Sequence, residues 1–347
     1  MQFYLPNLTL DLQEVRNMNT DSYSLSEFER KILKYAKSWL LGTELFTFQT
    51  SGSTGKPKNF DLTREQLAYS AETTLAYLFP DKAPKTLLLC LDPTFVGGRQ
   101  IIHRALLADA DLVAVEPSST PLKHITEPID LASMVPLQIQ KTASENISAF
   151  HKSSKILIGG ADLSEGTEKE LRKQATGCQF YHTYGMTETA SHVAIRPIGS
   201  QWFESLGDVQ MRTDQDGRLS VKGTVTRQRW IRTNDVVKLQ RNAFIWRGRS
   251  DWVINSGGIK IHPQEVEQKI SRLIPSCQFL ISSIPDSTFG EAVVLVTEKP
   301  MLEQISKADI LSKYELPKKE LIIKEWPMIG EKINRKAIGQ FVREQTF

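Results

Sequence analysis

The chain has 347 residues, long enough for two domains with well-buried cores. Hydrophobic residues at 40% and charged residues at 24% are ordinary for a globular protein, which argues against a disordered or fibrous chain. The 43 basic and 40 acidic side chains are mixed along the sequence, so the net charge of +3 forms no basic stripe and nucleic acid is not an expected partner.

In chain order, residues 23–41 read as an amphipathic helix entering the core. Leu45, Phe46 and Phe48 form a short apolar run of strand type. Thr50-Ser51-Gly52-Ser53-Thr54-Gly55-Lys56-Pro57-Lys58 follows, and residues 62–79 carry a helical pattern with Thr63 at the N-cap position. The segment from Thr50 to Lys58 is thus expected to join a strand to a helix and to handle a polyphosphate. Gly52 and Gly55 let the backbone bring N–H groups close to an anion, the hydroxyls of Thr50, Ser51, Ser53 and Thr54 can donate to phosphate oxygens, and Lys56 and Lys58 supply charge. It is not a Walker A loop, because only Ser53 and Thr54 lie between the glycines and Pro57 follows Lys56. A Gly/Ser-rich surface loop is the plain alternative.

Strand-like runs at 86–91, 112–115, 156–158 and 179–181 alternate with helical stretches at 98–108 and 164–175, which predicts parallel α/β layers. From Leu206 the texture changes to short strands with turn signals, among them Asp214-Gln215-Asp216-Gly217, so a β-rich subdomain is expected. Beyond Arg249, the apolar positions Ile254 and Ile261, a helix over 263–273 and strands at 279–284 and 293–297 predict a small α+β domain. The boundary falls at Ser250 and Asp251, dividing the chain into 1–249 and 250–347.

Four further segments follow the Thr50 loop. Tyr184-Gly185-Met186-Thr187-Glu188-Thr189-Ala190-Ser191 stands after an apolar run, and Thr233-Asn234-Asp235 after Trp230-Ile231-Arg232. Trp246-Arg247-Gly248-Arg249-Ser250-Asp251 leads into Asn255-Ser256-Gly257-Gly258-Ile259-Lys260-Ile261, and Gly330-Glu331-Lys332-Ile333-Asn334-Arg335-Lys336 comes last. In this order they strongly resemble the adenylate-forming superfamily of acyl-CoA synthetases, luciferases and peptide-synthetase adenylation domains. The resemblance implies an α/β adenylate-forming fold: a layered α/β plus β-subdomain N-terminal AMP-binding domain, and a small mobile α+β C-terminal domain hinged at Asp251. Members usually carry a longer region before the phosphate loop, so a shortened N-terminus with part of one subdomain trimmed is expected.

The resemblance also implies ATP, Mg²⁺ and coenzyme A as cofactors and a small carboxylic acid as substrate. Thr50, Ser51, Gly52, Ser53, Thr54, Gly55 and Lys56 would hold the β- and γ-phosphates. Glu188 would help bind the metal, Thr187 would contact the α-phosphate, and Lys332 would bridge the attacking carboxylate and that phosphate. Gly159, Gly160 and Ala161 would lie against the adenine, with Tyr184 stacking near it beside Gly185. Asp235 and Arg249 would hold the ribose, while Gly257, Gly258 and Lys260 would line the thiol tunnel.

Within the superfamily, residues 185–191 and 330–336 look most like o-succinylbenzoate:CoA ligases of menaquinone biosynthesis. Ser191 matches a position that touches the acid there. That acid keeps a second carboxylate, for which Arg99, His103 and Arg104 are candidate donors; His182 is a further candidate lining or a packed core histidine. One departure stands out, since relatives commonly place histidine where this chain has Phe95. Another aryl- or acyl-CoA ligase, or a stand-alone adenylation enzyme loading a carrier protein, stays open, as does a homodimer.

Cys90, Cys178 and Cys277 are odd in number, widely separated and not at metal-ligand spacing, which points to a reducing compartment and away from a zinc site. No apolar run approaches the ~20 residues that span a bilayer, and residues 1–10 lack the features of a leader. A cytoplasmic protein without stable membrane insertion is the expectation.

Overall fold

A computed structural model describes residues 1–21, 24–49, 59–274, 277–329 and 332–345, with the main chain alone at 49, 329 and 332. Parallel pairing builds one half of a thirteen-stranded sheet, in the spatial order Gln2–Tyr4, Asp111–Ala114, Thr86–Leu89, Ile129–Met134, Ser153–Ile158 and Gln179–Met186. Thr9–Asp11 closes the outer edge by antiparallel pairing with Gln2–Tyr4. Leu87 and Leu89 join one core with Ile32, Leu67 and Ile101, whereas Leu88 faces a second core with Ile129, Ile156 and Phe150. Burial on both faces explains why these strands read as continuous apolar runs. Four helices fall where the sequence periodicity puts them, Glu27–Leu40, Arg64–Leu78, Val96–Ala108 and Glu165–Gln174, whereas Pro136–Asn146 was not foreseen. Thr63 caps Arg64–Leu78 through a reciprocal capping box with Gln66.

Past Gln179–Met186 the chain reverses, and the sheet continues antiparallel through Ser191–Pro197, Trp202–Ser205, Ala243–Arg249, Ile231–Gln240, Arg218–Lys222 and Gln210–Thr213. The change of texture near Leu206 therefore marks the antiparallel part of the same sheet, not a separate one. Its entry depends on Gly185, where an added Cβ would lie 2.2 Å from the Ser191 carbonyl oxygen and 2.3 Å from His192 Cα.

One expectation changes. The segment after Gln49 was expected to run straight into a helix; instead Leu45–Gln49 pairs antiparallel with a second strand, Asn59–Thr63. The segment expected to handle a polyphosphate therefore connects two paired strands, and Thr50 to Lys58 themselves lie outside the described residues. The signal for Asn59–Thr63 is short and is masked by the helical pattern that overlaps it.

A second sheet takes the order Ile259–Ile261, Ile254–Ser256, Gly290–Thr297 and Phe279–Asp286, with Lys319–Ile322 parallel to Gly290–Thr297. Pro263–Leu273 and Arg335–Glu344 supply the helical sides of its two cores. A single helical turn, Ser250–Trp252, separates the last strand of the large sheet from the first of the small one. Charges tie the two parts together: Arg247 to Glu265 at 2.5 Å, Arg272 to Glu165 at 2.6 Å and Lys260 to Asp216 at 2.7 Å. Among the described residues no helix is long and apolar enough to cross a membrane.

Replacing Gly185 by alanine should destabilise the protein by at least ~2 kcal/mol, because backbone rather than a movable side chain blocks the new methyl group. Urea unfolding monitored by circular dichroism would measure it, and an unchanged midpoint would overturn the steric argument.

Candidate active site

The strand Ser153–Ile158 ends in Gly159-Gly160-Ala161, with Gly160 at a φ of +92°, a left-handed conformation that glycine adopts without strain. Thr183 Oγ1 donates to the Ile158 carbonyl at 3.0 Å and stands 3.1 Å from where a Cβ on Gly159 would be. The next residue, Tyr184, donates its phenol to Asp235 Oδ2 at 2.7 Å, while its ring packs edge-on against Phe244 with centroids 5.0 Å apart. Burial, reinforced by the negative charge of Asp235, pushes the phenol well above the ordinary tyrosine range, so it remains a donor.

Asp235 also accepts a hydrogen bond from Trp246 Nε1 at 3.0 Å and is directly opposite Arg249 in the strand pairing. An ionised carboxylate offers about four acceptor positions, so Asp235 keeps room for two further donors such as ribose hydroxyls. Arg249 turns its guanidinium to Asp251, with Nε to Oδ1 at 2.9 Å and Nη2 to Oδ2 at 3.0 Å.

Thr187 and Glu188 sit on the helical turn Thr187–Thr189 that follows the Tyr184 strand. Thr189 Oγ1 secures that turn by donating to the Met186 and Ser191 carbonyls and accepting the Met186 amide. Gln100 Nε2 donates to the carbonyl of Ala190 at 2.9 Å, where the chain takes a φ of +59°. Glu188 is half-buried and has no hydrogen-bond or ionic partner among the described residues, a state that suits a hard oxygen ligand for a divalent cation. Gln100, Thr189 and Trp246 escaped the sequence reading; a buried glutamine in a helix and a threonine inside a recognised motif give no separate signal.

Ser191 Oγ lies 3.4 Å from His192 Nδ1, and His192 Nε2 lies 2.9 Å from Thr74 Oγ1. Thr74 Oγ1 in turn accepts from Arg104 at 3.4 Å. Arg104 is 1% exposed, has no carboxylate partner among the described residues, and leaves its Nε without an acceptor. Burial pulls its pKa down to about 9, so it is still cationic at neutral pH.

The other two basic residues of that helix occupy different surroundings. Arg99 donates to the Pro93 and Thr47 carbonyls at 2.7 and 2.9 Å and stacks over Tyr35 and Phe48. His103 is wholly buried, 3.0 Å from the Tyr35 hydroxyl and tilted against Trp39 with ring centroids 4.3 Å apart, and burial with the nearby Arg104 charge holds it far below the usual histidine range. Both thus hold the loop-bearing hairpin against the helix Glu27–Leu40, and neither hydrogen-bonds to Ser191 among the described residues.

Lys332 lies on the strand Lys332–Ile333, which pairs with Met328–Ile329 just before the helix Arg335–Glu344. Arg335 pairs with Glu267 and stacks on Trp252, its guanidinium carbon 4.7 Å from the ring centroid. Gly257 and Gly258, with φ of +60° and +79°, form the hairpin turn between Ile254–Ser256 and Ile259–Ile261. A Cβ on Gly257 would meet Phe289 at 3.3 Å, whereas one on Gly258 would meet nothing within 4 Å. Lys260 is engaged by Asp216 at 2.7 Å.

The profile described as "AMP-binding enzyme" matches residues 22–227, well over half of the chain. The chain belongs to the AMP-binding enzyme family. This adenylate-forming protein is 27% identical to the 2-succinylbenzoate–CoA ligase of Listeria monocytogenes, over 92% of its own length and 75% of that protein. It is equally similar, at 27%, to the Escherichia coli 2-succinylbenzoate–CoA ligase over 98% of this chain and 79% of that one. Among solved structures, an acyl-CoA synthetase (AMP-forming)/AMP-acid ligase II-like protein from Dyadobacter fermentans is 31% identical, with a TM-score of 0.62 over 93% of this chain and 97% of that one. With these relatives the adenylate-forming family member is an AMP-forming acyl-CoA synthetase.

Beside the site, His182 Nε2 lies 3.0 Å from Glu168 Oε1, and Arg196 Nη2 donates to the same oxygen at 2.8 Å. His182 is 2% exposed, so it is a packed histidine of the wall behind the Tyr184 strand. Burial alone would raise the Glu168 pKa, but the adjacent His182 ring, the hydrogen bonds and charge of Arg196 and the Gly199 amide outweigh it and hold the pKa at about 2. Because the ordinary value is higher, Glu168 stabilises the fold above about pH 4.5, and that contribution is lost as pH falls toward 2. Glu168→Gln should therefore cost roughly 2–3 kcal/mol at pH 7, with the difference from the native protein shrinking below about pH 4.5 and vanishing only as the pH falls to about 2. Unfolding free energies measured across that range would test this, and a pH-independent difference would refute it.

Proposed function

We propose that this acyl-CoA synthetase is an o-succinylbenzoate:CoA ligase of menaquinone biosynthesis, forming an acyl-adenylate from ATP and releasing AMP and pyrophosphate as the thioester is made. The observation that carries the reading is the buried, uncompensated Arg104, linked through Thr74 and His192 to Ser191. A cation held in the interior without a partner is costly, and a second carboxylate on the substrate would compensate it. A long-chain fatty acid would not.

On this reading residues 1–249 bind the nucleotide and residues 250–347 form a mobile domain turning about Asp251. Tyr184 packs beside the adenine near Gly160 and Ala161, while Asp235 and Arg249 take the ribose hydroxyls. Thr50, Ser51, Gly52, Ser53, Thr54, Gly55 and Lys56 hold the departing phosphates, and Thr187 donates to the α-phosphate. The magnesium ion that accompanies ATP would be held by Glu188 and would shield phosphate charge. A carboxylate oxygen of the acid attacks the α-phosphorus and pyrophosphate leaves, with Lys332 placed to neutralise the charge that develops between them. The coenzyme A thiol then attacks the acyl carbon past Gly257 and Gly258, with Lys260 released from Asp216, and AMP departs. Phe95 favours a second reading as another aryl- or acyl-CoA ligase, because it puts an apolar ring where members of the resembling superfamily commonly have histidine.

With ATP, Mg²⁺, coenzyme A and o-succinylbenzoate, the protein should release AMP and pyrophosphate in step with thioester, and Lys332→Ala should lower turnover by about 10²- to 10³-fold. Pyrophosphate without thioester would indicate a carrier-protein acceptor. Turnover of a monocarboxylic acid in preference to o-succinylbenzoate would remove the substrate assignment. Arg104→Met should raise the KM for the acid at least about tenfold while leaving the melting temperature unchanged or higher, since it removes an unpaired interior charge. A lower melting temperature with unchanged KM would make Arg104 structural.

A further inference from the structure

The hinge segment is not free of the nucleotide site. Arg249, opposite Asp235, spends two of its N–H groups on Asp251, and its guanidinium carbon is 5.4 Å from the Trp252 ring centroid. Arg335 stacks on the same ring at 4.7 Å, pairs with Glu267 and stands three residues after Lys332. The contacts form an unbroken series from Tyr184 and Asp235 through Arg249, Asp251 and Trp252 to Arg335.

We propose that Asp251 occupies Arg249 in place of the nucleotide ribose, and that Trp252 passes the exchange of partners on to Arg335 and so positions Lys332. The inference rests on the ligase reading above. The chemistry of the exchange is simple: both Asp251 and a ribose hydroxyl accept from the same guanidinium, so they compete. The Arg249–Asp251 pair is bidentate but its carboxylate is 44% exposed, and an exposed pair of this kind is weak enough for a ligand to displace. When Arg249 turns to the ribose, the turn Ser250–Trp252 loses its hold on the large sheet. Trp252 then keeps Arg335 as its cationic neighbour, and the short strand that carries Lys332 is placed by that contact. Asp251 and Trp252 are thus positioning residues, and neither touches the reacting atoms.

Two measurements on the full chain test this. Calorimetric titration with AMP should show Asp251→Asn binding about two- to fivefold more tightly than the native protein, because the internal competitor has lost its charge. Equal or weaker binding overturns the proposal, whereas a native protein that binds neither AMP nor ATP overturns the ligase reading on which it stands. In the pyrophosphate-releasing half-reaction, Trp252→Leu should lower kcat about tenfold with the KM for ATP changed less than about threefold, and Trp252→Phe, which keeps an aromatic face, should restore most of the rate. Unchanged kcat in the leucine variant, or equal losses in both variants, overturns the role of Trp252.

Discussion

The site hangs on the carboxylate of Asp235. It receives Tyr184 from the last parallel strand and Trp246 from an antiparallel strand, so one side chain fastens the two halves of the large sheet where they meet. The geometry requires the chain to reverse tightly after Tyr184, and Gly185, Thr189 and Gln100 are the local means of doing so. Thr187, Glu188 and Ser191 all inherit their positions from that reversal. The rest of the site is therefore a consequence of how two sheet regions of opposite habit are joined.

Behind this junction, polar groups are buried under two different regimes. Glu168 is matched by His182 and Arg196, and the pairing outweighs the penalty of removing its charge from water. Arg104 has no such match, and Ser70 Oγ, Gln100 Oε1 and His103 Nδ1 also lack partners among the described residues. The first group sets opposite charges against each other, whereas the second leaves a cation and several polar atoms inside the fold without a counter-charge. Position alone would not separate them, since both are buried; the presence of an opposite charge does.

Much of the architecture was legible in the residues. Alternating apolar runs and amphipathic stretches placed four of the six parallel strands described in the large sheet, missing Gln2–Tyr4 and Ile129–Met134, and Thr63 announced a helix start. Asp235 and Arg249 were picked from separate motifs and lie opposite each other in one strand pair. Other features were hidden for physical reasons. Asn59–Thr63 is a five-residue strand whose pattern merges into the helix it precedes. The distinct fates of Arg99, His103 and Arg104 depend on which side of one helix meets the hairpin and which meets Thr74, and composition carries no such information. The pairing of Arg249 with Asp251 was equally invisible, because two residues two positions apart can as easily point into water.

The paired strands Leu45–Gln49 and Asn59–Thr63 stand apart from both the large sheet and the small one, and a two-stranded ribbon is marginal on its own. What steadies it is the aromatic packing of Phe46 and Phe48 against Tyr35 and Trp39, with Arg99 laid over the rings. The helix Glu27–Leu40 is in that sense the foundation of the ribbon, and its sequence is under a constraint that no ligand contact reveals. Loss of that aromatic packing would loosen the ribbon, which no neighbouring strand of either sheet holds among the described residues, while the large sheet keeps its own ladders.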